Sequence, residues 1–332
     1  MSFIPPKKDF INTQDFPRLE LDEILKLTTD VKKNPRTYLD SLKGYSLCMM
    51  FFNPSTRTRN SFEVGMHQLG GHAVFNDPNS CWLGQKSESV KDTAEVLSRY
   101  YSAIGIRMFP NIVNWKYAKC NEELRIFASH AKCSVINFED DLYHPCQAMT
   151  DIFTIKEKLG KTEHKKITIS WAYHPKPLPV SVPNSILLAS TQFGMDVTLA
   201  CPPNYELDPV IWKTAEQNSK AMGGTLTLEH DMDKAYDHAD VVYVKEWGSL
   251  KAYGLPREEK EMRVPYRDKW VCNQAMMDRT AKKSIFMHCL PVRRNIVVTD
   301  EVIDGPHSVV YDEAENRMHV QKALMLHLLQ QK

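Results

Sequence analysis

Short β-rich apolar runs alternate with longer helical patterns along nearly the whole chain, and this alternation limits the fold more than any other feature. Strand patterns fall at Ser46–Phe52, His72–Phe75, Ala103–Met108, Ser134–Asn137, Ile167–Trp171, Asp196–Ala200, Thr225–Leu228, Val241–Val244, Ser284–His288 and Ser308–Tyr311. Helical patterns lie between them at Ser61–Leu69, Ser89–Tyr101, Asn121–Ala131, Ala148–Leu159, Asn184–Phe193, Pro209–Met222 and Gln274–Thr280. Alternation of this kind builds βαβ units, whose strands run parallel and are covered by helices on both faces. The chain has 332 residues, and single cores rarely grow past roughly 250–300. The fold class expected is therefore α/β, with two doubly wound parallel-sheet domains and a cleft between them. The helix pattern Cys146–Lys161 ends near Gly160 and would bridge the halves. The first domain is expected over residues 1–145 and the second over 146–311, with a terminal helix at 312–332 packing back on the first.

Composition excludes classes without naming a function. The 42 basic and 41 acidic residues leave a formal charge of +1, which argues against a partner held by a broad basic field, nucleic acid above all. An apolar run of about 18 residues, the signature of a membrane span, is lacking, and MSFIPPKKDF shows no apolar signal-peptide segment. No membrane partner is expected. The eight cysteines form no CxxC pair and read as reduced thiols of a cytoplasmic protein, with neither disulfide framework nor zinc site. No metal is expected: HExxH is absent, and His230, Asp231 and Asp233 read as a solvated acidic turn. The glycines form no GxGxxG after the first strand, so a dinucleotide is not expected either. The expected cofactor set is empty.

Five motifs carry chemistry. Ser55, Thr56, Arg57, Thr58 and Arg59 follow the first strand and open a helix. Helix N-terminal N–H groups, hydroxyls and a guanidinium fork suit a phosphate-like anion. A Ser/Thr cap with solvated arginines would explain S-T-R alone equally well. Arg107 ends a strand, where the carboxyl edge of a parallel sheet lines a crevice; an isolated arginine there is more often a surface residue. His144-Pro145-Cys146-Gln147 precedes the bridging helix. The histidine can donate to a carbonyl, and the glutamine can pair with an amide-like group. The last two are His288-Cys289-Leu290-Pro291, followed by Arg293 and Arg294, and Asp312-Glu313-Ala314-Glu315-Asn316-Arg317 at the start of the final helix.

In this order and spacing the five motifs resemble the aspartate/ornithine carbamoyltransferase family, and Glu88-Ser89-Val90-Lys91-Asp92-Thr93 resembles its E-S-x-x-D-T segment. The resemblance runs from Phe51 to Lys322. It implies transfer of the carbamoyl group of carbamoyl phosphate to a primary amine. It further implies that Ser55, Thr56, Arg57 and Thr58 hold the phosphate, and that Arg107 bridges phosphate and carbonyl oxygen. Thr58, Arg107 and His144 would polarise the carbonyl. Gln147 and the Cys289-Leu290 backbone would hold the carbamoyl nitrogen, and Arg317 would touch the same substrate. Family members are homotrimers in which a neighbour's loop enters each site; Trp82 lies in the matching segment. On this reading the first domain binds carbamoyl phosphate and the second the amine.

The acceptor is read from departures. Ornithine enzymes carry D-x-x-x-S-M-G, where the aspartate binds the free α-amino group; here the stretch reads Lys245-Glu246-Trp247-Gly248-Ser249-Leu250. A cation at Lys245 repels an ammonium and pairs with a carboxylate, which points to an acceptor whose α-amino group is blocked. Together with the proline-rich loop His174–Asn184, this resembles the N-acylornithine branch, in arginine biosynthesis. In that branch the loop threads a trefoil knot, a rare topology, and a carboxylate at the Glu139 position lies near the substrate's side-chain amine, with Asp140 as the alternative. The position that sorts acetyl from succinyl falls near Val90, and a lysine of the acetyl enzymes is replaced by Val297. N-acetyl-L-ornithine is the favoured acceptor, N-succinylornithine a second, and ornithine or another amine the alternative. The mechanism expected is direct attack with no covalent enzyme nucleophile.

Overall fold

A computed structural model describes residues 7–78, 81, 83 and 87–330. The chain divides into two compact units: Met1–Met149 with Glu315–Lys332, and Thr150–Ala314. The divides fall at 149/150 and 314/315, three or four residues beyond the positions drawn from sequence.

The first unit contains α1 (Arg18–Lys33), β1 (Ser46–Phe51), α2 (Arg57–Gln68), β2 (His72–Asn76), α3 (Val90–Tyr100), β3 (Ala103–Arg107), α4 (Lys119–His130) and β4 (Ser134–Glu139). Its four strands are all parallel, in the order β2-β1-β3-β4. The chain leaves β1 to one side for β2 and returns to the other for β3, so the topological switch point lies between β1 and β3. There Phe51 and Arg107 are register partners, and ligand crevices open at such points. Gly105 of β3 is required by packing: a Cβ would lie 1.9 Å from the Phe138 ring. That ring stacks on Phe62 of α2 at 4.2 Å between centroids, so β4 reaches across β3 to fix the helix that follows β1.

The second unit follows α5 (Pro145–Leu159), within which the chain passes from one unit to the other. It contains β5 (Lys166–Trp171), α6 (Ser181–Gln192), β6 (Asp196–Ala200), α7 (Pro209–Met222), β7 (Leu226–Glu229), α8 (Met232–Tyr236), β8 (Val241–Lys245), α9 (Pro256–Arg263), α10 (Gln274–Met277), β9 (Ile285–Met287) and α11 (Asp300–Ile303). Five parallel strands are ordered β7-β6-β5-β8-β9. Here the switch point lies between β5 and β8, where Trp171 and Lys245 are register partners. The chain returns to the first unit within α12 (Val310–Leu329).

One expectation changes, and two are drawn more closely. Ser308–Tyr311 is no strand: Ser308 makes one bridge to Phe286, and α12 already begins at Val310. A short apolar run does not distinguish strand from buried helix. The helices after the S-T-R and H-P motifs start at Arg57 and Pro145, closer to those motifs than their apolar periodicity suggests. The acidic turn at 230–233 caps a helix, with Asp231 accepting from the Asp233 and Lys234 N–H groups. Among the described residues, no helix is long and apolar enough to cross a membrane.

Candidate active site

In the first unit, polar side chains collect at the carboxyl ends of β1, β3 and β4. Thr56 is the N-cap of α2 without a side-chain cap bond. Instead Ser55 Oγ accepts from the Thr58 N–H at 3.3 Å, so the local cap and the anion-binding geometry use the same hydroxyl. Ser55 and the exposed Thr56 line an open depression of about 740 Å³ that continues past Arg59, Glu63 and His67. Arg57, the first helical residue, is half-buried. Thr58 is buried, and its Oγ1 accepts from Arg317 Nη2 at 3.0 Å. Arg317 Nη1 donates to Gln147 Oε1. One buried guanidinium thus fixes both Thr58 and Gln147. Because the threonine oxygen accepts this bond, its own proton is directed elsewhere.

Arg107 ends β3. Its guanidinium pairs with Glu139, stacks 4.4 Å from the Phe109 ring centroid, and leaves Nε buried with no hydrogen-bond partner among the described residues. Glu139 ends β4 and also lies 3.6 Å from His144 Nε2. The His144 imidazole is held well below the usual 6.5, first by burial and then by Arg317, Arg107 and Arg57. Three cations around a neutral ring make a field for an anion, and the ring can still donate one hydrogen bond.

Asp140 and Asp141 are committed to the scaffold. Asp140 accepts from Asn121, Asn137 and the Leu142 and Tyr143 N–H groups. Burial pushes its carboxyl up to about 7, against those donors. Asp141 accepts from the first N–H groups of α4, those of Cys120 and Asn121. Asp140 is therefore occupied in holding the loop that presents His144, and Glu139 is the carboxylate facing the arginine cluster. Val90 lines a different space, an apolar cavity of about 310 Å³ with Phe52, Leu83, Met108 and Phe127, into which Glu88 and Glu123 also reach. Trp82 lies outside the described residues.

In the second unit, Lys245 at the end of β8 donates to Glu246 Oε2 at 2.8 Å. The same oxygen is 3.2 Å from His288 Nε2. On the other side of that ring, the Leu290 N–H donates to His288 Nδ1 at 2.9 Å. An N–H only donates, so Nδ1 is the bare nitrogen and Nε2 carries the proton given to Glu246. The His288 N–H donates to Glu313 Oε2 at 3.0 Å. Burial alone would raise the Glu246 carboxyl, yet Lys245 and His288 hold it well below the carboxylate range. Burial pushes the Cys289 thiol up to about 12, so at neutral pH it is no nucleophile. Leu290 has φ of +54°, uncommon for a leucine and held here by the bond from its N–H.

The proline-rich loop is anchored from the same unit. Gly248 donates to the Leu178 carbonyl at 2.9 Å, and a Cβ on it would lie 2.9 Å from Pro177. Arg263, fully buried and paired with Glu259, donates to the His174 and Lys176 carbonyls. Val297 is fully buried. Sequence reasoning gave no role to Glu246, His288, Glu313 or Arg263. Glu246 and His288 each sit next to an assigned residue in a quoted motif, which was the available signal; Arg263 lies in a charge-rich helix with none. No cluster of three or more His, Cys, Asp or Glu able to hold a metal occurs among the described residues.

Residues 8–157 match the model for the aspartate/ornithine carbamoyltransferase, carbamoyl-P binding domain, and residues 179–328 that for the Asp/Orn binding domain. The chain is 43% identical to the N-acetylornithine carbamoyltransferase of Xanthomonas campestris pv. campestris over 338 aligned positions covering 98% of each protein. It is 39% identical to the ornithine carbamoyltransferase of Thermococcus kodakarensis, over 96% of this chain and 95% of that one. An acetylornithine transcarbamylase solved in complex with acetylcitrulline superposes with a TM-score of 0.90 at 41% identity, over 97% of this chain and 99% of that one. With both domain models matched in order and relatives aligned end to end, the chain belongs to the aspartate/ornithine carbamoyltransferase family.

Proposed function

We propose that this carbamoyltransferase moves the carbamoyl group of carbamoyl phosphate to the δ-amine of an N-acylated ornithine, N-acetyl-L-ornithine in first place, giving the N-acylcitrulline and phosphate. The observation that carries this reading is Lys245 at the switch point of the second sheet. A cation there is suited to an acceptor that presents a carboxylate but no free α-ammonium.

Ser55, Thr56, Arg57 and Thr58 would receive the phosphate at the start of α2, and Arg107 would span phosphate and carbonyl oxygen. An anion at Arg107 competes with Glu139, whose carboxylate is then left beside the reacting carbon, where the acceptor amine arrives. Attack of the neutral amine places negative charge on the carbonyl oxygen. Thr58 with its proton directed away from Arg317, Arg107, and neutral His144 are the donors to it, and preorganised donors of this kind contribute about 3–4 kcal/mol each. Gln147 and the Leu290 backbone would hold the carbamoyl nitrogen, with Arg317 setting Gln147 and Thr58. The leaving phosphate takes the amine proton, so no enzyme nucleophile is needed. The family position that sorts acetyl from succinyl holds Val90 and not an acid, which keeps succinyl as a second acyl group. The same reading includes a cytoplasmic homotrimer in which Trp82 of a neighbour completes each site, a place in arginine biosynthesis, and a knotted proline-rich loop.

The test is turnover of carbamoyl phosphate with N-acetylornithine, N-succinylornithine and ornithine in parallel. Citrulline from free ornithine alone would overturn the acceptor assignment and favour the ornithine reading, to which relatives such as the Thermococcus kodakarensis enzyme lend support.

A further inference from the structure

The proposed function uses Lys245 and the Leu290 backbone but gives no task to the two buried side chains that connect them. Glu246 is 2% exposed and His288 not at all. Glu246 Oε2 takes bonds from both Lys245 Nζ, at 2.8 Å, and His288 Nε2, at 3.2 Å. His288 Nδ1 accepts the Leu290 N–H at 2.9 Å. The connection is continuous: cation, carboxylate, imidazole, backbone amide.

Each link has one orientation available. Lys245 only donates. The Leu290 N–H only donates, which removes the proton from Nδ1 and puts it on Nε2, facing the carboxylate. Glu246 is held ionised by its two neighbours. A buried carboxylate serving two donors on one oxygen is costly unless both remain in place. Packing adds a second constraint, because the His288 N–H is itself held by Glu313 at 3.0 Å, so the imidazole cannot swing away with its backbone. A change at Lys245 is therefore felt at Leu290 through two side chains.

Resting on the proposed function, we infer that Glu246 and His288 are positioning residues that couple the acceptor-carboxylate site at Lys245 to the carbamoyl-nitrogen site at Leu290. Lys245 is thereby presented at one fixed position, and Leu290 is kept in its left-handed conformation by a histidine whose Nδ1 accepts its N–H and whose Nε2–H Glu246 holds. Neither side chain touches substrate; both act through Lys245 and Leu290.

The experiment has two arms. Side-chain ¹⁵N NMR of the unliganded protein, with the His288 signals assigned by loss in His288→Asn, reads the tautomer directly. The expected result is a proton on Nε2 in the wild type, with the Nε2–H signal shifted in the isosteric Glu246→Gln as its charged acceptor is lost; a proton on Nδ1 in the wild type overturns the inference. Steady-state kinetics with carbamoyl phosphate and N-acetylornithine forms the second arm. Glu246→Gln is expected to raise the acceptor KM about tenfold or more, as for loss of a charged hydrogen bond, and to lower kcat as well. His288→Asn keeps an acceptor for the Leu290 N–H but cannot reach Glu246, so it should raise the acceptor KM and spare the carbamoyl phosphate KM. Unchanged acceptor KM in both variants, or equal loss of kcat with both KM values unmoved, overturns the coupling. Where Glu246→Gln does not fold, His288→Asn and the wild-type tautomer decide. A wild type that turns over no acylornithine sinks the proposed function, while the tautomer arm still judges the chain of bonds.

Discussion

The two sheets use the same arrangement with opposite electrical outcomes. In each, a cation ends the strand next to the switch point, Arg107 opposite Phe51 and Lys245 opposite Trp171. In each, a glutamate pairs with that cation and a histidine stands beside the glutamate. In the first unit Arg57 and Arg317 join Arg107 in acting on His144, so positive charge exceeds the one facing carboxylate. In the second, Lys245 and the Nε2–H of His288 share Glu246, so one carboxylate answers the strand-end cation. The first arrangement fits a multiply charged phosphate. The second fits a ligand chosen by shape and by a single carboxylate, where surplus charge would lower discrimination.

Removing the anchor of the second unit has the largest expected effect. Arg263→Met leaves Glu259 buried and unpaired and releases the His174 and Lys176 carbonyls, an expected loss of about 3–5 kcal/mol. It should appear in urea unfolding as destabilisation of the second unit, and a loss under about 1 kcal/mol would show that this pair does not hold the loop. Arg107→Ala should lower kcat about 10²–10³-fold, the scale for loss of one preorganised donor. Measured with saturating acceptor, it separates the anionic half from the neutral one. Lys245→Met should raise the acylornithine KM about ten- to a hundredfold with the carbamoyl phosphate KM little changed; a carbamoyl phosphate effect of equal size would erase the contrast between the sheets.

The pH profile gives a finer distinction. The folded His144 value lies below its unfolded 6.5, so the folded state binds fewer protons near that pH. The stability this group contributes is complete above 6.5 and is lost progressively as pH falls from 6.5 through the folded value. Any acid limb of kcat due to His144 should therefore lie below 6.5, and a limb at or above 6.5 that vanishes in His144→Asn would contradict the cationic surroundings described. The smallest effect is expected for Cys289→Ala. A thiol pushed up to about 12 stays protonated, so turnover should remain within about threefold of wild type.

Much of the site could be read from sequence because it sits in short contiguous motifs at strand ends. Ser55 to Thr58, Arg107, His144 and Gln147, and Cys289-Leu290 follow β-rich runs whose carboxyl edges must form the crevice of a parallel sheet. The start of α12 was misread because S-V-V-Y suits a strand and a buried helix equally well. The Glu246–His288 link could not be read, since it joins residues 42 apart whose contact depends on β8 and β9 being neighbours. Asp140 and Glu139 were alternatives in sequence; in the structure Asp140 accepts from four N–H donors while Glu139 pairs with Arg107, which supports Glu139.

By itself the sequence determined that this chain is two parallel α/β units, which residue types stand at their strand ends, and that a lysine replaces the aspartate of the ornithine enzymes. Those are local properties, set by periodicity and by neighbours along the chain. Tertiary structure alone decided which carboxylate meets which cation, which nitrogen of His288 carries the proton, and that Arg317 of the last helix grips Thr58 and Gln147. Such pairings depend on strand order and burial, and in a desolvated interior a shift of one partner changes both the charge state and the hydrogen bond of the other.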